Sequence, residues 1–127
     1  MTDYTKQADT QEAEALLPLP PATLQILIAL AEAPLHGYAV MQEVAARTGG
    51  GLKLGAGTLY RSIHRMLEQG LIAEVGWRQR PARELDDERR RYYRITPFGE
   101  AVARAEARRL AQLVKLARAS GFVPKRA

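Results

Sequence analysis

The chain has 127 residues, of which 46% are hydrophobic and 26% are charged, as in an ordinary folded protein of one domain with at most a short appendage. It contains no cysteine, which excludes a disulfide scaffold, a thiolate metal site and a cysteine nucleophile. The charge of +5 is unevenly spread: residues 1–46 carry a net −5, the other 81 residues carry +10, and most of the cations are arginine. Such a basic region makes a polyanion the first partner to consider, with a solvated surface as the alternative.

The sequence shows no signal for a membrane or for export. The longest apolar stretch, residues 22–31, is well short of the roughly 20 residues that a membrane-spanning helix needs. The acidic start of the chain has neither the basic nor the apolar region of a secretory signal. We therefore expect a cytoplasmic protein that does not contact a membrane.

The first half of the chain predicts helices. Residues 1–17 are either a frayed tail or an additional helix docked on a neighbouring element. Apolar residues at helical spacing predict a helix over residues 21–32, which begins at a proline, and a second over residues 36–48, which ends at three glycines. A third predicted helix, residues 58–69, ends at Gly70.

The second half predicts a hairpin and a long helix. Residues 71–77 and 89–95 have the composition of two β-strands, and the charged turn of residues 78–88 joins them. Thr96 is a candidate N-cap for a final helix over residues 97–119. Three helices followed by a hairpin are the winged form of the helix-turn-helix. We therefore expect a mainly α fold with a small β-hairpin and a long C-terminal helix.

The third predicted helix has two distinct faces. Its apolar stripe consists of Leu59, Ile63, Met66 and Leu67. A separate polar face carries two cations, two hydroxyls and no acid: Thr58, Arg61, Ser62 and Arg65. Arginine binds guanine O6 and N7 in a bidentate way, and hydroxyls reach phosphates or bases. This face therefore predicts a recognition helix for the major groove of double-stranded DNA, with a solvated helix face as the alternative.

The turn of the hairpin is too charged to belong to a core and predicts a wing. Arginines lie on both sides of its acidic cluster, residues 86–88. We expect these arginines to follow the phosphate backbone or to enter the minor groove, and four of them are candidate DNA contacts: Arg80, Arg83, Arg89 and Arg90.

The predicted C-terminal helix has an apolar stripe of its own: Phe98, Val102, Leu110, Leu113, Val114 and Ala117. A winged domain closes its core without this helix, so the stripe needs another surface. We expect a second copy of the chain there, which would present two recognition helices to a palindromic site. Packing back onto the same chain is the alternative.

No pattern for catalysis or metal binding is visible, so we predict no enzyme, no metal and no cofactor. We expect His36 and His64 to cap or pack rather than to act as ligands or catalysts. Trp77, the one tryptophan, either covers the sheet or lines a pocket in which a small aromatic effector stacks.

Several segments resemble the PadR family of transcriptional regulators: residues 23–31, His36-Gly37-Tyr38, residues 55–60, residues 67–72 and residues 89–99. The resemblance covers roughly residues 20–119. It implies a homodimeric winged-helix repressor whose C-terminal helix makes the dimer. It also implies that Tyr38, Thr58, Tyr60 and the wing arginines lie near DNA. The single C-terminal helix is similar to the short-tailed branch of the family, which leaves control by an effector open.

The sequence therefore predicts a sequence-specific DNA-binding transcriptional regulator. Its expected regions are an N-terminal tail or accessory helix (residues 1–19), a winged-helix DNA-binding domain (20–96), a dimerisation helix (97–119) and a C-terminal tail (120–127). Two alternatives stay open. One is a protein–protein interaction module without specific DNA binding, and the other is a small enzyme or ligand carrier that uses a pocket at the dimer.

Overall fold

A computed structural model describes residues 4–76 and 90–124, with side chains from Thr10 onward. Within these ranges the helices are α1 (Tyr4–Ala15), α2 (Pro21–Ala29), α3 (Gly37–Arg47), α4 (Ala56–Glu68) and α5 (Pro97–Ala119). The strands are β1 (Leu35–His36), β2 (Ile72–Glu74) and β3 (Tyr92–Ile95). The mainly helical fold that the sequence predicted is confirmed.

The described strands form one antiparallel sheet in the order β1-β3-β2. Leu35 of β1 is opposite Tyr93, and Ile72 of β2 is opposite Ile95. The prediction of a two-stranded hairpin was therefore incomplete, because the short β1, which lies between α2 and α3, adds a third strand. A segment of two residues is too short to show the alternation from which β2 and β3 were predicted.

Local capping chemistry sets the ends of several helices. The Thr96 side chain accepts a hydrogen bond of 2.9 Å from the backbone N–H of Gly99, which confirms its prediction as the N-cap of α5. His36 caps α3, since its Nδ1 accepts from the N–H of Ala39 at 3.2 Å. Helix α2 ends at Ala29, three residues earlier than predicted, with Leu30 as its C-cap.

The core lies between α2, α3, α4 and the sheet, and α5 covers part of it. Leu59, Ile63 and Met66 of α4 are buried there, as the apolar stripe predicted, whereas Leu67 is half-buried at its edge. The buried stripe fixes the rotation of α4, and its polar face consequently turns away from the core.

Helix α1 packs against α5, so the segment before residue 17 contains the additional helix rather than only a tail. The buried carboxylate of Glu106 on α5 fastens the connection between α1 and α2. It accepts a hydrogen bond of 2.8 Å from the backbone N–H of Leu19 and a second of 3.2 Å from Arg109 Nη2. Arg109 first, and then the Leu19 N–H, hold the pKa of Glu106 below its usual value against the opposing effect of burial.

The predicted dimerisation stripe of α5 divides into two parts. Val102 is fully buried in the chain's own core and Phe98 packs half-buried against it, because α5 packs against α2. Only the later part of the stripe faces outward, with Leu113 and Val114 exposed and Leu110 and Ala117 half-buried. No described helix, α5 included, has both the length and the apolar content to cross a membrane.

Candidate nucleic-acid interface

The polar face of α4 is accessible over its whole length. Thr58, Arg61 and Arg65 are exposed, and Ser62 is half-buried between them. Arg61 Nη2 lies 3.4 Å from the hydroxyl of Thr58, one turn back on the same helix. Within the part of the chain that the structure describes, neither arginine pairs with a carboxylate. The face therefore presents two guanidinium groups whose charge no described acid neutralises.

Gly57 lets the Arg61 side chain fold back toward the start of α4. A Cβ atom at Gly57 would lie 3.1 Å from Arg61 Nη1, which is tighter than an ordinary contact. The guanidinium therefore lies along the first turn of the helix, next to Thr58. In a recognition helix, this first turn is the part that approaches base edges.

The one acid of α4, Glu68, pairs with a histidine on the same helix. Glu68 lies 2.7 Å from Nε2 of His64, in an exposed pair one turn apart on α4. The expectation that His64 caps or packs was wrong, because its position between the two faces of α4 leaves the ring in solvent.

A second accessible surface flanks α4 on the side of the sheet. A cavity of about 330 Å³ lies between the start of α3, α4 and the beginning of β3, lined by His36, Gly37, Tyr38, Tyr60, Arg90, Arg91 and Tyr93. Tyr38 and Tyr60 are 59% and 52% exposed, although tyrosine side chains of a folded domain are more often largely covered. Tyr38 and Tyr60, which the family resemblance placed near DNA, thus come together with Arg90, a predicted wing contact.

Close contacts hold this second surface together. The hydroxyl of Tyr60 lies only 2.7 Å from the position that a Cβ atom on Gly37 would take, so the glycine lets the ring lie over the start of α3. Arg90 Nη1 lies 3.3 Å from Nε2 of His36, which ties the base of the wing to the cap of α3. Burial, followed by the charge of Glu74, raises the pKa of Tyr93.

A third feature joins α4 to the start of α2. A cavity of about 220 Å³ is lined by Pro20, Thr23, Thr58, Arg61, Ser62 and Arg65. All four predicted polar-face residues of α4 therefore border one concave surface. Thr23 here and Arg91 in the larger cavity were not among the predicted site residues. Arg91 directly follows Arg89 and Arg90 in the sequence, and this adjacency was a signal for including it among the predicted DNA contacts.

The remaining predicted contacts separate into two groups. Arg80, Arg83, Arg89 and Trp77 lie outside the described residues. Within the described part of the chain, the outward-facing stripe of α5 lines none of the three cavities that border α4.

The model of the transcriptional regulator PadR-like family matches residues 26–105 of the chain. Over 92 residues the chain is 33% identical to transcriptional regulator Rv3488 of Mycobacterium tuberculosis, covering 72% of this chain and 78% of that protein. It is 35% identical over 92 residues to a 37.1 kDa protein in transposon TN4556 of Streptomyces fradiae. That match covers 72% of this chain but only 24% of the relative.

Solved structures with the same fold include regulators of this kind. A transcriptional regulator from Clostridium thermocellum is 24% identical with a TM-score of 0.64, and the match covers 80% of this chain and 92% of that one. A PadR family regulator from Clostridium difficile is 22% identical with a TM-score of 0.60, over 76% of this chain and 93% of that one. Bacillus subtilis PadR in complex with operator DNA is 17% identical with a TM-score of 0.55, over 69% and 47% of the two chains.

Proposed function

The chain belongs to the PadR-like family of transcriptional regulators, and we propose that it is a homodimeric repressor that binds a palindromic operator in double-stranded DNA. The family consists of transcriptional regulators and not of enzymes. In this proposal residues 20–96 are the DNA-binding domain, residues 97–119 are the dimerisation helix and residues 120–127 are a tail. Residues 1–19 add the accessory helix α1, and the protein works in the cytoplasm.

The observation that carries the proposal is the polar face of α4. A helix locked by Leu59, Ile63 and Met66 turns two arginines and two hydroxyls outward, and no described acid pairs with the arginines. Arginine forks match guanine edges in the major groove, and hydroxyls match phosphates or bases. We assign base reading to Arg61 and Arg65.

The tyrosine- and arginine-lined cavity supports the same orientation. Tyr38, Tyr60, Arg90 and Arg91 lie beside α4 and offer phenol and guanidinium donors, which suit the phosphate backbone on one flank of the groove. The structure with operator DNA was obtained for Bacillus subtilis PadR, whose domain has this fold. We infer that this chain meets DNA with the same side of its domain.

Dimerisation is supported by the outer part of α5. Leu113, Val114 and Leu116 are exposed close together on one helix, and Phe122 just beyond its end is 83% exposed. Apolar side chains clustered in this way mark an interaction surface, and a symmetric copy is the commonest partner. Val102 and Phe98 have no part in the proposed interface, since they pack in the chain's own core. Release by a small aromatic effector stays a prediction of the sequence.

Footprinting on the DNA upstream of the protein's own gene tests the proposal. We expect protection of a palindrome whose two halves lie about one helical turn apart, and weaker binding to a scrambled duplex of equal length. The affinity should fall steeply between low and moderate salt, because bound arginines release counterions from the phosphates. Equal affinity for the scrambled duplex would contradict sequence-specific regulation, and no affinity for any duplex would favour a protein-interaction module.

A further inference from the structure

The cavity between α2 and α4 has the chemistry of an anion site. Its six described lining residues include three hydroxyl side chains and two guanidinium groups, and no carboxylate is among them. Its volume of about 220 Å³ is large enough for a group the size of phosphate. Every polar side chain of the lining is therefore able to donate a hydrogen bond, and the charged ones are all positive.

Thr23 lines this cavity with a buried hydroxyl that lacks a described hydrogen-bond partner. The residue is only 3% exposed, and its hydroxyl has no hydrogen-bond partner within the described part of the chain. Its backbone N–H is occupied, since it donates to the carbonyl of Pro20 at 3.0 Å. A buried hydroxyl without a hydrogen-bond partner is unfavourable, so we expect a group from outside the chain to form a hydrogen bond with it.

The start of α2 adds to the positive potential at the same place. The helix has nine residues and begins at Pro21. Its N-cap residue, Pro20, lines the cavity and makes no side-chain hydrogen bond that would cap the helix. Pro20 and Pro21 have no N–H group and the N–H of Thr23 is occupied, so the contribution here is that of the helix dipole, whose N-terminal end carries a partial positive charge. With Arg61 and Arg65 on the opposite wall, an anion would meet positive potential from both sides.

We propose that this cavity is an oxyanion site that holds one phosphate of the DNA backbone, and that the hydroxyl of Thr23 donates a hydrogen bond to a phosphate oxygen. The inference rests on the proposed function and deepens it. It assigns Thr23 and Ser62 to a backbone phosphate, whereas Arg61 and Arg65 border the cavity with side chains long enough to reach base edges. A phosphate within DNA is favoured over a free anion, because the four α4 residues that border the cavity are the ones that face the duplex in the proposed function.

The test compares Thr23→Val with Thr23→Ser on two duplexes, the footprinted operator and a random sequence of equal length. Valine keeps the shape of threonine and removes the hydroxyl, whereas serine keeps the hydroxyl. We expect Thr23→Val to lose roughly tenfold in affinity on both duplexes, as for one hydrogen bond to a charged group, and Thr23→Ser to bind like the wild type. A phosphate contact does not depend on the base sequence, so the loss of affinity should be equal on the two duplexes.

Two controls separate this result from a change in folding. Thr48→Val removes a hydroxyl that bonds to Val44 at the end of α3 and does not line the cavity, so its DNA affinity should equal that of the wild type. Thermal melting of each variant checks that it folds. If Thr23→Val does not fold, Ser62→Ala replaces it, because Ser62 is only half-buried and should show the same equal loss on both duplexes.

Other outcomes overturn the inference. If the wild type binds both duplexes and Thr23→Val binds them equally well, no phosphate contacts Thr23, although the proposed function stands. A loss confined to the operator would assign Thr23 to base reading. A free anion in the cavity would give a different pattern. Inorganic phosphate would raise the melting temperature of the wild type above that in chloride of equal ionic strength, and Thr23→Val would abolish this rise. The duplex affinity of Thr23→Val would nevertheless equal that of the wild type. Failure of the wild type to bind any duplex overturns the proposed function together with the inference.

Discussion

The carbonyl oxygen of Leu71 lies so close to Gly99 that a Cβ atom on Gly99 would overlap it. The same Cβ would stand 2.9 Å from Cγ1 of Ile95, so neither the backbone nor the side chain beside it leaves space. Thr96 holds this junction together, because its backbone N–H donates to Leu71 at 3.1 Å and its hydroxyl donates to the carbonyl of Gly70 at 2.6 Å. The start of α5 is thereby fixed to the turn that follows α4.

We expect Gly99→Ala to lower the free energy of unfolding by about 3 kcal/mol, since overpacking against rigid backbone outweighs the helix propensity gained by alanine. Urea denaturation followed by circular dichroism measures the change. Gly76→Ala is the matched control, because a Cβ there meets nothing within 4 Å, and its effect should stay within about 0.5 kcal/mol. Equal stability of the Gly99→Ala variant and the wild type would contradict the close contact.

The sequence predicted those parts of the fold that local chemistry determines. Helices α3, α4 and α5 were recognised because apolar residues recur at helical spacing, and Thr96 because an N-cap is a local signal. Strand β1 was missed, because Leu35 and His36 become a strand only by pairing with β3, more than 50 residues away. The outward and inward parts of the α5 stripe were not separated, because Val102 and Leu113 look alike in a helical pattern.

The candidate site divides in the same way. The polar face of α4 was predictable because all its members lie on one helix. Thr23 was not, because its link to Ser62 exists only after α2 has packed across α4. The approach of Arg90 to His36 joins residues 54 positions apart and likewise depends on tertiary structure.

Glu106 should make stability depend on pH. Its native pKa lies below the usual value of 4.5, mainly because of the hydrogen bond from Arg109. The stabilisation is therefore fully present above about pH 4.5 and is lost as the pH falls through the lowered native pKa. We expect the unfolding free energy of the wild type to drop over this acidic range, and that of Glu106→Gln to drop less.

At neutral pH we expect Glu106→Ala to be destabilised by about 1–3 kcal/mol, because the N–H of Leu19 loses its buried acceptor. Glu100→Gln is the control on the same helix. Among the described residues its carboxylate pairs only with Arg104, at 3.5 Å and exposed to solvent, and such a pair contributes little. Denaturant titrations at several pH values compare these variants with the wild type. Parallel pH profiles for the wild type and Glu106→Gln would contradict the stabilising role of the charged carboxylate.

The proposed dimer should depend on the outer stripe of α5. We expect Leu113→Glu or Val114→Glu to convert the dimer into a monomer, because a charge would be buried between two apolar surfaces. Sedimentation velocity measures the state of assembly, and circular dichroism checks that helix content is kept. Gln112→Glu places the same charge on an exposed neighbouring position and should leave the dimer intact. A variant at position 113 that stays dimeric would assign the interface to another surface.

The proposed base contacts should appear as a difference between operator and random DNA. We expect Arg61→Ala and Arg65→Ala each to weaken operator binding by about 1–3 kcal/mol if the guanidinium reads a base, with a smaller loss on random duplex. Fluorescence anisotropy with both duplexes at fixed salt measures the two losses. Arg104→Ala removes the same charge from α5 and should affect neither duplex by a comparable amount. An equal loss of affinity on both duplexes would mean that the arginine binds phosphate and does not read a base. In that case sequence would be read by other side chains, and the slope of log affinity against log salt should become shallower by about one unit for each such arginine replaced.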